Sequence, residues 1–174
     1  MARGWSGTTT NHIAQRAGVS VGSLYEYFPG KEALVTALVE RHLAEAEARI
    51  GELLSSLPSG ELSLEALTRA IVTAMIDLHA ASPRLHRVLS EEVPHGPEVR
   101  RRVRAMEENS ARALAAVLPS LCPVKDPDVT ARVVVELLEA LTHRWLTTAD
   151  AKPLPRERMQ AELTRLIIAY VHAS

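Results

Sequence analysis

Cysteine is nearly absent. The single thiol in 174 residues, Cys122, excludes an internal disulfide framework and any zinc site built from several cysteines. Long apolar runs are absent as well: no stretch approaches the roughly 18 apolar residues of a membrane span, and no signal peptide is read at the start. Net charge is almost nil, with 20 basic and 21 acidic residues giving −1, so the protein is not basic overall. A small basic face remains compatible with that total. Internal repeats, low-complexity segments and alternating strand patterns are all missing. No nucleophile-elbow, phosphate-loop or paired-carboxylate motif appears, so the sequence does not read as an enzyme.

What is present is ordinary soluble-protein composition, 47% hydrophobic and 24% charged, which excludes a disordered tail protein. The charge is uneven. Residues 1–31 contain Arg3, Arg16, Lys31 and one acid, Glu26, for a net +2, and the remainder carries −3.

Between Pro and Gly punctuation the apolar residues recur at three and four, the helical period. One long helix is predicted over 31–57, with Leu34, Leu38, Val39, His42, Leu43, Ala46, Ile50 and Leu53 on one face. Further helices are predicted over 62–81, 84–93, 97–118, 128–148 and 156–172. The helix over 128–148 is apolar on more than one face, through Val133, Val134, Val135, Leu137, Leu138, Leu141, Trp145 and Leu146. It is therefore either central to the subunit or shared with a partner subunit. Asp126 is placed to cap it. Cys122, between Pro119 and Pro127, is expected in a loop as an exposed thiol. The fold class is all-α.

The N-terminal residues form two short helices around a tight turn. A threonine from Thr8 to Thr10 caps the first helix, and Ile13, Ala14 and Ala17 face inward. Gly18 stops it, Val19 is the buried turn residue, and Ser20 caps a second helix over 21–27. Leu24 and Phe28 anchor that second helix. Its outward face carries Val21, Gly22, Ser23, Tyr25, Glu26 and Tyr27, small at the N-terminal end and bearing hydroxyls. That end suits base edges in a major groove, with Tyr and Lys groups on phosphates. The same residues also fit an inert helical hairpin.

The run Thr9, Ile13-Ala14, Ala17-Gly18-Val19-Ser20, Leu24-Tyr25, Tyr27-Phe28, Lys31 and Leu34 resembles the DNA-binding region of the tetracycline-repressor family over residues 4–43. The resemblance implies a helix-turn-helix domain over 1–45. A long helix then joins it to a helical ligand-binding and dimerisation domain over 46–174. It implies that Thr9, Ser20, Val21, Gly22, Ser23, Tyr25, Tyr27 and Lys31 belong to the DNA-binding surface. In that picture Val21, Gly22 and Ser23 lie against base edges, while Thr9 and Lys31 lie on phosphates. It also implies a homodimer joined through residues 128–148 and 156–172, and hence a palindromic double-stranded operator.

One departure concerns the amphipathic helix that family members carry ahead of the Gly-aromatic pair, here Gly4-Trp5. Only Met1-Ala2-Arg3 stand before that pair. The side of Ile13, Val19 and Leu24 that such a helix covers is then expected to be partly exposed. Two readings follow: a native chain that begins further upstream, or a ligand-binding helical dimer that no longer binds DNA.

For the ligand side, residues 62–148 are expected to enclose a pocket. Met75, His79, Met106, His143 and Trp145 are the candidate lining residues, with His86 beside them. Each also fits a plain core or surface role. Few charges fall on the inward stripes, so the ligand is expected to be apolar or aromatic. Pro83 separates His79 from His86, and no carboxylate completes a metal site, so neither metal nor cofactor is expected. The basic run Arg100, Arg101, Arg102 and Arg104 is expected to be a solvated face paired with Glu98, Glu107 and Glu108. The function expected is a cytoplasmic, ligand-responsive transcriptional repressor.

Overall fold

The computed structural model describes residues 4–56, 62–89, 93, 96–147 and 154–174, excepting the side chains of 53–56 and 84. Eight helices follow in chain order among these residues: α1 (Thr10–Ala17), α2 (Val21–Tyr27), α3 (Lys31–Ser56), α4 (Leu64–Ala81), α5 (Pro83–Arg87), α6 (Pro97–Leu121), α7 (Pro127–Thr147) and α8 (Arg156–Ala173). No strand occurs among the described residues, and no helix there is long and apolar enough to cross a membrane. The helix ends expected at Leu57 and Thr148, residues 90–92 and the side chain of Leu53 lie outside the described residues.

Capping explains most of the boundaries. The Ser63 hydroxyl accepts the Ala66 N–H at 3.1 Å, so α4 begins at Leu64, two residues later than the periodicity suggests. The Asp126 carboxylate accepts the Val129 N–H at 3.0 Å and starts α7. Pro119 does not end α6, which runs on to Leu121. A proline in the last turn forfeits one intrahelical bond, and the turn survives that loss when its side chains are buried. Leu118 and Cys122 are both buried there.

Two apolar cores organise the chain. The larger joins α4, α6, α7 and α8 through Leu64, Val72, Ile76, Ala115, Leu118, Ala131, Val134, Leu138, Met159, Leu163, Ile167 and Val171. In α8 the buried residues fall at every fourth position, which makes a narrow stripe along one side. Cys122 belongs to this core and is not the exposed loop thiol expected from its flanking prolines. α6 runs past Pro119 to Leu121, and Cys122, its C-cap, turns into the core with its N–H on the Leu118 carbonyl. The smaller core joins α3 to α6 through Val39, Leu43, Leu89, Val93 and Val99, with Trp5, Leu38, Leu85, Val103 and Met106 packed on it. Through Trp5 this core also holds the N-terminal segment.

Candidate nucleic-acid interface and core histidine cluster

The α1–turn–α2 unit is built from local hydrogen bonds. The Thr9 hydroxyl accepts the His12 N–H, and His12 Nδ1 accepts the Thr9 N–H, so both donors at the start of α1 are satisfied. Gly18 then takes a left-handed conformation, φ +70 and ψ 25, and its N–H returns to the end of α1. The Ser20 hydroxyl accepts the Ser23 N–H at 2.9 Å and starts α2. The hydroxyls of Thr10 and Tyr25 meet at 3.1 Å and tie the two helices together from outside.

Ala14 and Leu24 form the buried contact inside this pair, and Ile13 and Phe28 are half-buried. Val19 is not buried as its place in the turn suggests; it is 45% exposed, and Ala17 is exposed as well. The turn leaves both on the open side of the unit, while Ala14 and Leu24 are buried. Leu24 is more deeply buried than expected, at 8% exposure.

The outward face of α2 is open. Val21, Gly22, Ser23, Tyr25 and Tyr27 are exposed, Tyr27 at 78%. The Ser23 hydroxyl is shared with that of Ser20 at 2.9 Å. Thr9 is exposed beside its cap. Lys31 is half-buried: its ammonium lies 4.0 Å from the Trp5 ring centroid and donates to the carbonyls of Trp5 at 3.0 Å and Thr8 at 3.3 Å. That uses two of its three donors. The sequence pattern did not reveal this clamp, because Lys31 and Trp5 are 26 residues apart.

The expected ligand residues divide between the two cores and a histidine cluster. Met75 and Trp145 pack on the larger core and Met106 on the smaller. A small gap between α4, α6, α7 and α8, lined by Leu67, Ile71, Leu114, Leu118, Val134 and Ile167, measures about 10 Å³ and contains none of them. That is room for about one water. An open surface groove of about 880 Å³ runs along Arg49, Glu65, Arg69, Thr73, Asp77 and Gln160.

The histidines, by contrast, do converge. His79 and His86 stack with ring centroids 4.5 Å apart, although Pro83 separates them in sequence. The α4–α5 corner folds back and brings them face to face. His42 of α3 meets His86 edge-on at 4.4 Å, and His143 stands 6.1 Å from His79. A carboxylate is present after all. His79 Nε2 lies 3.3 Å from Glu139 Oε1, while His79 Nδ1 donates to the Met75 carbonyl at 3.0 Å. The sequence reading missed Glu139, yet its four-residue spacing to His143 on α7 was visible. Burial alone would lower the pKa of His79, but the bond to Glu139, that carboxylate's charge and the Met75 carbonyl together hold it above the usual imidazole value. Burial pushes Glu139 up, and the His79 bond and charge outweigh this and hold it below the usual carboxylate range. His86 is driven down to about 4 by burial, then by the charges of His79 and His42.

The basic run on α6 is paired, but not only within its helix. Arg101 bonds Glu98, whereas Arg102 reaches across to Glu47 of α3 with both guanidinium nitrogens, at 2.9 and 2.7 Å.

A helix-turn-helix joined by a long helix to a helical core is the architecture of a DNA-binding regulator. Comparison with known proteins specifies which. The family described as "Tetracyclin repressor-like, C-terminal domain" matches residues 63–170, and "Bacterial regulatory proteins, tetR family" matches residues 1–38. The chain belongs to the TetR family of transcriptional regulators. It is 27% identical to the HTH-type transcriptional repressor KstR of Mycolicibacterium smegmatis over 94% of this chain and 79% of that protein. It is 31% identical to the nucleoid occlusion factor SlmA of Haemophilus ducreyi over 51% of this chain, which spans 42% of that protein. Its match to the HTH-type transcriptional repressor NemR of Escherichia coli is 41% identical and covers 32% of this chain and 28% of that one. In fold it is similar to FadR of Bacillus subtilis, solved in complex with stearoyl-CoA. The TM-score is 0.73 at 16% identity, covering 98% of this chain and 92% of that one. The families and repressors matched are regulators, not enzymes.

Proposed function

We propose that the protein is a cytoplasmic, ligand-responsive transcriptional repressor that binds a palindromic operator as a homodimer. The observation that carries this reading is the open N-terminal end of α2. Ser20 caps it, Gly22 keeps it narrow, and Val21 and Ser23 flank a surface from which no bulky side chain projects. Val21, Gly22 and Ser23 are assigned to base edges, Thr9 to a phosphate, Tyr25 and Tyr27 to phosphates or thymine methyls, and Ser20 to the same surface. Lys31 is assigned a phosphate through its remaining donor. Residues 1–45 form the reading head and residues 46–174 the ligand-binding and dimerisation domain. Dimerisation is assigned to 128–148 and 156–172, where Val129 and Leu166 are exposed on α7 and α8. Ligand binding shifts α3 and changes the spacing of the two heads, a coupling of about 1–3 kcal/mol.

The exposure of Ala17 and Val19 favours a second reading, in which the described chain dimerises without holding its head firmly enough to bind DNA. One titration separates the two. Binding to the DNA upstream of its own gene is followed by anisotropy at two salt concentrations, with the 174-residue chain beside a version extended in frame at the N-terminus. A repressor binds a palindrome with salt-dependent affinity. Tyr25→Ala then weakens binding to all sequences, and changes at Val21 or Ser23 alter the preference among operators. Unchanged affinity and preference in all three variants rules out this assignment. Binding by the extended version alone assigns the defect to the head. Binding by neither supports the second reading.

A further inference from the structure

We propose that His79, Glu139 and His143 bind one divalent transition-metal ion between α4 and α7. Glu139 and His143 are one helical turn apart on α7, and His79 reaches them from α4. One donor atom of each lies within 4.8 Å of the other two. The 3.3 Å between His79 Nε2 and Glu139 Oε1 is close to the edge of a tetrahedron around an ion about 2.1 Å from each donor, roughly 3.4 Å. A turn of the His143 or Glu139 side chain, both only half-buried, closes the remaining spacing.

The surroundings orient both imidazoles as ligands. His79 Nδ1 donates to the Met75 carbonyl, which directs Nε2 toward Glu139. Thr147 donates its hydroxyl proton to the His143 carbonyl at 2.7 Å, so its oxygen accepts from His143 Nε2 at 3.1 Å. The lone pair of His143 is then left on Nδ1. Partners of this kind fix tautomer and ring orientation in metal sites. His86 stacks on His79 and His42 abuts His86, which encloses the site from α5 and α3. Glu139 keeps 42% of its side chain exposed and so leaves an entry path.

Two imidazoles and one carboxylate select Zn²⁺, Fe²⁺, Co²⁺ or Ni²⁺ over Mg²⁺ or Ca²⁺, which prefer oxygen throughout. Three protein ligands leave at least one coordination position for water or a small chelating molecule. A plain His79–Glu139 ion pair needs no metal, but it gives His143 no part. His143 therefore separates the two accounts. The inference stands apart from operator binding, which its test does not measure.

The experiment uses the full chain, stripped with chelator and dialysed, and titrated with Zn²⁺, Co²⁺ and Mg²⁺ by calorimetry and visible absorption. The expected result is one Zn²⁺ or Co²⁺ per chain, with Co²⁺ ligand-field bands, a Tm that rises with Zn²⁺ concentration, and no response to Mg²⁺. His143→Gln and Glu139→Gln lower affinity at least tenfold, Thr147→Val lowers it about 10–100-fold, and His172→Gln on the exposed face of α8 leaves it unchanged. Circular dichroism checks folding. Should His143→Gln fail to fold, Glu139→Gln and Thr147→Val decide. Absence of saturable 1:1 binding, or native affinity in the folded variants, overturns the proposal.

Discussion

The Lys31 ammonium sits over the Trp5 ring, 4.0 Å from its centroid, and donates to two carbonyls of the segment that precedes α1. Lys31 opens α3, and Trp5 packs on the smaller core. The pair therefore joins the start of the helix-turn-helix to the long helix. Trp5→Ala is expected to cost about 1–2 kcal/mol, the range for a partly desolvated cation–π contact with some packing lost. Hydrogen exchange is expected to rise in α1 and α2 and to stay native in α8. An equal rise throughout would show that the pair supports the whole fold.

Gly18 and Gly22 separate backbone from surface. Gly18 has φ +70, so Gly18→Ala is expected to destabilise by about 1–2 kcal/mol in urea unfolding even though open space surrounds the new methyl. In Gly22→Ala the methyl meets Ser20 Oγ at an ordinary 3.7 Å. The helix is then expected to gain about 0.5–1 kcal/mol, while operator affinity falls because the methyl stands on the face assigned to bases. Stronger or unchanged DNA binding would remove Gly22 from that face.

Leu163 and Leu166 test the two sides of α8. Leu163 is 0% exposed in the larger core, and Leu166 is 44% exposed. Leu163→Ala is expected to cost about 2–5 kcal/mol of stability. On the homodimer proposed above, Leu166→Asp is expected to leave the subunit folded and to raise the dimer dissociation constant, read by sedimentation across a concentration series. Native dimerisation in Leu166→Asp would place the interface elsewhere.

Acid sensitivity in the metal-free protein follows from His86. Its folded pKa of about 4 lies below the ordinary imidazole value of 6.5, so as pH falls through that window the unfolded chain gains a proton that the native chain refuses. Stability attributable to His86 is present above pH 6.5 and is lost toward pH 4. The groups facing it are His42 from α3, lowered in the same direction by burial, His79 from α4, raised, and Glu139 from α7. Relative to His86→Phe, the native protein is expected to lose up to about 2 kcal/mol between pH 7 and pH 5. A difference that does not vary with pH would mean that His86 protonates freely in the folded state.

Local chemistry was legible in the residues. Apolar recurrence at three and four marked every long helix, and Gly18, Ser20, Asp126 and one threonine among Thr8, Thr9 and Thr10 marked ends, because a cap bonds within three or four residues of itself. The α1–turn–α2 unit could be located for the same reason. Its exposure could not be read this way, since whether Val19 is covered depends on what packs over the turn. Cys122 does lie just past the end of α6, as its prolines suggested, but it is buried against the larger core where exposure was expected.

The order of helices, the all-α class and the α1–turn–α2 unit were thus determined by sequence alone, through short-range hydrogen bonding and hydrophobic period. Tertiary structure alone decided the contacts between distant residues: Lys31 on Trp5, Arg102 on Glu47, and His42, His79, His86, Glu139 and His143 brought together from α3, α4, α5 and α7. Helical period states which face a residue occupies. Which residues of another helix meet that face depends on how the helices cross and on their register, and packing of the two cores sets both.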